Sequence, residues 1–289
     1  MNSPPSAKRV YLDNHVFIYA FERKAEPACS QVENILESSA ARLVVSIDNL
    51  LEFSLSPSAK QAADLTRAAM RYQPLWLGSF LEVQRLEVRD YIFSRFLRRE
   101  TKPIVVVTDT FNGLFPDSPI EVSPIDFVSI SFQAHHREAM IEKHRQHAEI
   151  LKELQSHIHD GTFTPEHDAI STKGVILTRL PTRELLEIGM SIGQIRDAFE
   201  YCIRTKAELY KRCPSMNTER HLTEYRSSNH RRNPLKSDSK DLTQSSAAFP
   251  YVDEFFTQDG YLIRGLEYVR KKAPRIQTAI NTLAPSHAA

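Results

Sequence analysis

Residues 9–22, RVYLDNHVFIYAFE, place a carboxylate between two apolar runs. Residues 10–12 predict a short buried strand, residues 16–21 are almost entirely apolar, and Asp13 lies between them. Asp is favoured just before a helix, because its side chain accepts hydrogen bonds from free N–H groups of the first turn. An acid at the carboxyl end of a parallel strand also lies where α/β sheets bind their ligands. Two interpretations of Asp13 therefore stay open, a helix cap and a functional acid.

The chain that follows predicts an α/β fold. Residues 43–47, LVVSI, form a second β-branched run, and the segment between the two runs has helical spacing. Such a β-α-β unit has parallel strands and a right-handed crossover. A further helix begins near Asp48 and carries Glu52. Residues 103–107, PIVVV, predict another buried strand, and residues 252–257, VDEFFT, return to strand character.

The middle of the chain has a different, mostly helical character. From about residue 129 the sequence is polar and helix-prone as far as Gly161, and a capping box at Ser191 starts another helix. Residues 214–240 have almost no apolar periodicity and predict a loop that is partly mobile. We expect two units: a discontinuous core at residues 1–128 and 232–289, and a helical insert with a basic loop at residues 129–231.

Composition excludes several classes of protein. No apolar run approaches the roughly 20 residues that cross a bilayer, and the first ten residues lack the apolar centre of a secretory signal. We therefore expect a cytoplasmic protein without membrane contact. Three cysteines without C-x-x-C spacing indicate neither a disulfide framework nor a thiolate metal site. The sequence has no Walker, dinucleotide-binding or G-x-S-x-G motif, which removes those chemistries in their usual forms.

Three further acids occupy settings like that of Asp13. Glu52 lies in the helix after the second strand, Asp241 opens the helical stretch DLTQSSAAF, and Asp259 follows the strand EFFT. Each acid alone is explained as a cap, a turn residue or a surface residue. Together at one edge of a parallel sheet, four carboxylates repel one another unless protons or cations neutralise them. Mg²⁺ with carboxylate ligands is a common solution.

The order and setting of these acids resemble those of the PIN-domain nucleases. The resemblance covers residues 8–56 and 235–275. It implies a PIN-like three-layer α/β/α fold around a central parallel sheet, with a Mg²⁺ or Mn²⁺ site that cleaves RNA. The family's compact domain is much shorter than this chain, so it does not explain the mostly helical insert. The implied catalytic and metal-binding residues are Asp13, Glu52, Asp241 and Asp259, supported by Asn14 and Thr257.

Two neighbouring acids leave the register of the last two ligands open. Asp238 lies three residues before Asp241, and the loop-like sequence before it favours a helix cap at Asp238. Asp253 lies at the start of the VDEFFT strand, and strand geometry separates it from Asp259 by roughly 15–20 Å. Asp241 and Asp259 are therefore the preferred ligands, with Asp238 and Asp253 as possible additional acids.

Positive charge is concentrated between residues 204 and 240, where ten Lys or Arg stand against four Asp or Glu. Such a stretch favours contact with the phosphates of single-stranded or looped RNA. A solvated surface explains a charge run about as well. The cations expected to contact the nucleic acid are Arg226, Arg231, Arg232 and Lys236.

These features together predict a metal-dependent endoribonuclease. The resemblance further implies a toxin or defence nuclease, with an antitoxin or another protein as partner and a homodimer as assembly. Two alternatives stay open. One is a non-catalytic PIN-like scaffold that binds nucleic acid or protein, and the other is a structure-specific DNA nuclease of the flap-endonuclease type.

Overall fold

A six-stranded, mostly parallel sheet forms the centre of the molecule. The computed structural model describes residues 7–21, 26–37, 40–101, 103–132, 134–229, 232 and 234–283. The strands are β1 Lys8–Leu12, β2 Ala41–Ser46, β3 Leu75–Leu77, β4 Val107–Thr108, β5 Glu254–Phe256 and β6 Ala279–Asn281. The helices are α1 Asn14–Phe21, α2 Glu26–Glu37, α3 Ile47–Phe53, α4 Ala59–Met70, α5 Phe80–Tyr91, α6 Pro124–Ser131, α7 Ala134–His159, α8 Pro165–Arg179, α9 Thr182–Glu187, α10 Ile192–Arg204, α11 Lys206–Arg212, α12 Pro214–Ser228, α13 Lys236–Ala248 and α14 Gly260–Lys272. Within these ranges, no helix has both the length and the apolar character needed to cross a membrane.

The strand order brings the two predicted acid-bearing strands side by side. Across the sheet the order is β4-β3-β2-β1-β5-β6, with β4 antiparallel to β3. β1 pairs in parallel with β2 and with β5, in a register that puts Leu12 opposite Phe256. The residues that follow, Asp13 and Thr257, therefore lie at the same carboxyl edge, where α/β sheets bind ligands.

Alternation along the strands divides the apolar side chains between two layers of helices. Val10 and Leu12 pack in one cluster with α1, α2, α3, α4 and α6, whereas Tyr11 packs in a second cluster with α5, α12, α13 and α14. The rings of Tyr11 and Phe255 stack with their centroids 5.1 Å apart. An α/β fold with helices on both faces of a mostly parallel sheet is therefore confirmed.

Two expected strands are shorter than the sequence suggested. Of residues 103–107, only Val107 is in a strand, as part of β4 at the antiparallel edge, and Val105 is 65% exposed. An edge strand pairs on one side only, so this apolar run is not enclosed by the sheet. The VDEFFT strand is likewise reduced to the three residues of β5.

The predicted loop at residues 214–240 is wrong, because α12 and α13 cover most of it. α12 packs closely on α14, where a Cβ atom added to Gly265 would lie only 3.1 Å from the Leu222 side chain. Much of what α12 buries is small and polar, including Ser215 and Thr218. Hydrophobic periodicity therefore did not reveal this helix, which depends on tertiary packing.

The helical insert packs onto the core. A third apolar cluster joins the end of α5 to α8, α9, α10, α11 and α12, while Leu222 of α12 belongs to the core cluster on one face of the sheet. The expected boundary at residue 231 thus lies between α12 and α13, which pack on each other. The expected boundary at residue 128 falls inside α6. The predicted capping box at Ser191 is confirmed, since Ser191 and Gln194 exchange hydrogen bonds at the start of α10.

A buried glutamate forms hydrogen bonds that link the helical insert to the core. Glu87 on α5 is 1% exposed. Its carboxylate accepts the N–H groups of Ser215 (2.8 Å) and Met216 (3.3 Å) at the start of α12. The Tyr251 hydroxyl donates to the same carboxylate. Burial raises the pKa of Glu87 to about 8, although these three donors oppose the rise.

We expect Glu87 to make the free energy of unfolding depend on pH. Its pKa is raised in the folded state from 4.5 to about 8. The stabilising contribution of the protonated acid is therefore complete below pH 4.5, and it is lost as the pH rises to about 8. Between about pH 5 and pH 8 the free energy of unfolding of the wild type should fall on the order of 3 kcal/mol further than that of Glu87→Gln, which has no carboxyl group to ionise. Urea denaturation at both pH values measures this difference, with Glu100→Gln on the exposed surface as control. Equal pH slopes for wild type and Glu87→Gln would contradict it.

Candidate metal site

Asp13 is held at the carboxyl edge of the sheet by three contacts. Its N–H donates to the carbonyl of Phe256 (3.0 Å), which ties it to the neighbouring strand. Its Oδ1 accepts the N–H of Val16 (2.8 Å) in the first turn of α1. The Thr257 hydroxyl donates to the same carboxylate. Asp13 therefore caps α1 and also lies at the ligand-binding edge, so the two interpretations of the sequence hold together.

Asp259 lies at the same edge, where it caps α14. Its Oδ1 accepts the N–H groups of Tyr261 (2.6 Å) and Leu262 (3.0 Å). Its own N–H donates to Oγ1 of Thr257 (3.1 Å). Thr257 is fully buried and hydrogen-bonds to both Asp13 and Asp259. The structure thus places this threonine as a support between two of the acids.

Glu52 reaches the edge from α3, the helix that directly follows β2. Asn49 on the same helix donates to Oδ1 of Asn14 (2.7 Å), and Asn14 in turn donates to Oε2 of Glu52. Lys240 Nζ lies 3.0 Å from Glu52 Oε1, and the amide of Gln244 donates to Oε2. Both oxygens of Glu52 are therefore engaged, and Asn14, predicted as a supporting residue of the site, is one of the donors.

Asp241 lies in the second turn of α13 and does not open the helix. α13 begins at Lys236, because the carboxylate of Asp238 accepts the N–H of Leu235 (2.6 Å) and caps the helix there. Arg226 of α12 lies beside Asp241, with Nη2 at 3.9 Å from Oδ2, and its Nη1 donates to the carbonyl of Asp238. Arg226 is 3% exposed, and within the described structure its Nη2 has no hydrogen-bond partner.

The pKa values show that these acids act on one another. Burial raises the pKa of Asp241 to about 8, and the nearby Arg226 opposes this rise. Repulsion from Asp13, Asp259 and Glu52 adds to it. Burial also raises the pKa of Asp13 to about 6; hydrogen bonds oppose the rise, and Glu52 adds to it. Because such repulsion weakens with distance, the structure has brought the four acids into one neighbourhood.

The two additional acids have structural partners. Asp253 lies just before β5, at the amino end of the strand, where its Oδ2 accepts the N–H of Arg9 (2.7 Å). Asp238 is buried and pairs with Arg232 (2.6 Å) in addition to capping α13. Asp238 therefore does cap α13, but from the third position inside a helix that begins at Lys236 and not from the residue before a helix opened by Asp241. Asp253 lies, as predicted, at the end of the strand remote from Asp259.

The expected phosphate-binding cations need correction. Arg226 is buried among acids and backbone, so it cannot face a phosphate in solvent. Arg232 is paired with Asp238, and its side chain is 27% exposed. Arg231 and the side chain of Lys236 lie outside the described residues. The two arginines that can be placed turn toward acids because α12 and α13 are packed helices and not a solvated loop.

Asp48, predicted only as the start of a helix, is a half-buried acid close to Glu52 in sequence. Its Oδ2 accepts the N–H of Phe80 (2.8 Å) at the start of α5, and burial raises its pKa to about 6. The signal that could have found it is its place two residues after β2, close to the strand end as Asp13 is after β1. Lys240 and Gln244, the partners of Glu52, left no such signal.

The acids fit a hard divalent cation in chemistry and charge. They offer only oxygen donors, which Mg²⁺ and Mn²⁺ prefer, and their repulsion is the kind that a cation relieves. Among the described residues, no three Asp, Glu, His or Cys side chains already converge as a preformed metal site. Binding therefore requires the side chains to close in. Asp13, Asp241 and Asp259 would hold the ion, with Glu52 beside them.

Comparisons with known proteins identified no similar protein. No protein-family model, no curated protein and no solved structure matches the chain. The function must therefore be argued from the geometry and chemistry of the site itself.

Proposed function

We propose that the chain is a metal-dependent endonuclease that hydrolyses RNA phosphodiester bonds on a PIN-like core. The observation that carries the proposal is the gathering of Asp13, Glu52, Asp241 and Asp259 at one edge of the sheet, where burial raises the pKa of Asp241 and repulsion from the other three acids adds to the rise. Acids gathered against their own repulsion are typical of functional sites. A toxin or defence role, an antitoxin partner and a homodimer follow from the resemblance alone and belong to the same proposal.

The residues at this edge would divide the work. A bound Mg²⁺ or Mn²⁺ would supply an activated water and charge stabilisation for the leaving oxygen. Asp13, Asp241 and Asp259 would bind the cation, and Thr257 keeps two of them in register through its hydrogen bonds. The side chain of Asp241 is 27% exposed, so a phosphate can approach the site from that side.

A non-catalytic scaffold is the second candidate. Lys240 pairs with Glu52 and Arg226 lies beside Asp241, so protein cations offset part of the repulsion without any metal. This observation favours a cluster that is tolerated for structural reasons. The DNA-nuclease alternative gains no support from the insert, because α7 and α8 pack against α13 and α5 and do not arch away from the core.

Cleavage of RNA in defined cations tests the proposal. We expect the purified protein to cut a labelled single-stranded RNA in Mg²⁺ or Mn²⁺ and to be inactive in EDTA, because hydrolysis depends on the bound cation. Excess Mn²⁺ should restore activity to the same sample. A labelled DNA flap in a parallel assay separates the DNA-nuclease alternative. Cleavage that persists in EDTA would contradict the metal mechanism, and Mn²⁺ binding without cleavage would favour the scaffold.

A further inference from the structure

Two protein cations lie inside the acid cluster. Lys240 on α13 places Nζ 3.0 Å from Oε1 of Glu52. Arg226 on α12 places Nη2 3.9 Å from Oδ2 of Asp241. Both cations come from helices that pack on each other and on the core. Two of the four acids therefore have a positive side chain of the protein beside them.

The two cations are held differently. Lys240 is in direct hydrogen-bond contact with Glu52, whose other oxygen accepts from Asn14 and Gln244. A metal ion at Glu52 would have to displace these donors. Arg226 is only 3% exposed, yet its Nη2 makes no hydrogen bond within the described structure. Its distance of 3.9 Å from Oδ2 of Asp241 is too long for a hydrogen bond. Arg226 therefore attracts Asp241 electrostatically without a hydrogen bond to it, and the carboxylate oxygens of Asp241 stay available to a metal ion.

Asp13 and Asp259 also keep capacity for a cation. The backbone donors at the start of α14 both use Oδ1 of Asp259, and no hydrogen bond from the described residues reaches its Oδ2. The backbone donor at the start of α1 likewise uses Oδ1 of Asp13. A carboxylate has room for several donors or ions on its two oxygens. These two acids can therefore bind metal without losing their helix caps.

The charges point to a single ion. A metal ion binds the ionised form of its carboxylate ligands. With all four acids ionised, two protein cations leave two negative charges uncompensated, and one divalent cation balances them. We propose that Lys240 takes the place of a second cation, so that Glu52 pairs with this lysine and the site binds one divalent ion through Asp13, Asp241 and Asp259. The inference rests on the proposed function, because it assumes that the cluster binds metal.

Calorimetric titration of metal-free protein with Mn²⁺ tests the inference independently of activity. We expect one Mn²⁺ per wild-type chain. Glu52→Gln should keep this stoichiometry and change the affinity by less than about threefold, whereas Asp259→Asn should weaken binding by about 10-fold or more. Lys240→Gln removes the internal cation, so we expect it to bind two Mn²⁺ and to show the spin-coupled EPR signal of a manganese pair. The matched variant Lys240→Arg keeps the charge and should bind one.

The outcomes separate the two proposals. No Mn²⁺ bound by folded wild-type protein would overturn the metal-dependent nuclease and this inference with it. Two Mn²⁺ bound by wild type, or a loss of binding in Glu52→Gln as large as that in Asp259→Asn, would overturn only this inference. One Mn²⁺ bound by folded Lys240→Gln would also overturn it. Should Lys240→Gln fail to fold by circular dichroism, the wild-type stoichiometry and the Glu52→Gln affinity decide the matter.

Discussion

Asp13→Asn is expected to reduce Mn²⁺-dependent RNA cleavage by about 100-fold or more, because it removes a charged oxygen ligand from the cation site. The protein should stay folded. Asn can cap a helix as Asp does, so the hydrogen bond from the N–H of Val16 (2.8 Å in the wild type) is retained. Neutralising one of several repelling acids also relieves the repulsion that helps raise the pKa of Asp241. Initial cleavage rates at saturating Mn²⁺, together with melting temperatures in EDTA, measure both effects.

The control for this variant is Asp253→Asn, the same change at the opposite edge of the sheet. The carboxylate of Asp253 contacts Arg9 and lies at the amino end of β5, so its loss should leave cleavage within about twofold of wild type. Turnover preserved in Asp13→Asn would show that the site lies elsewhere. A large drop in the melting temperature of Asp13→Asn in EDTA would show that capping explains this residue.

Phe255→Ala is expected to lower the free energy of unfolding by about 3–5 kcal/mol, the range for emptying a buried aromatic position. Phe255 is fully buried, stacks on Tyr11 and meets the ring of Phe249 at 5.8 Å between centroids. It belongs to β5, the strand that carries Thr257 and Asp259 to the site. Guanidinium denaturation with and without Mn²⁺ measures the loss.

Val105→Ala is the matched surface control for the effect of Phe255. Val105 is 65% exposed, so its truncation should change the free energy of unfolding by about 0.5 kcal/mol or less. Similar losses in the two variants would contradict the placement of β5 at the centre of the core, beside β1.

The sequence was most informative where strand and helix patterns repeat over a few residues. The apolar run before Asp13 and the EFFT run before Asp259 both became strands of one parallel sheet, and parallel pairing alone brings their ends to a common edge. The placement of Asp253 at the far end followed from the geometry of a strand, whereas the start of α13 at Lys236 lies earlier than the start at Asp241 that the sequence predicted.

Other parts of the site depend on long-range packing that a single sequence does not display. In the sequence, Arg226 is one cation of a basic stretch. In the structure it is buried on α12, with its Nη2 3.9 Å from Oδ2 of Asp241. Lys240 and Glu52 are separated by 188 residues, so no local sequence pattern predicts their ion pair. The helix that buries Arg226 was missed because it packs through small and polar residues such as Ser215 and Thr218, which carry no apolar stripe.

Anomalous scattering from a crystal of the protein soaked in Mn²⁺ tests most directly whether Asp13, Asp241 and Asp259 form one cation site. We expect a manganese peak with carboxylate oxygens of all three residues at about 2 Å, a bonding distance for a small hard divalent ion on oxygen ligands. A saturating soak that leaves this edge of the sheet without a peak, while the three side chains are well ordered, would contradict the site.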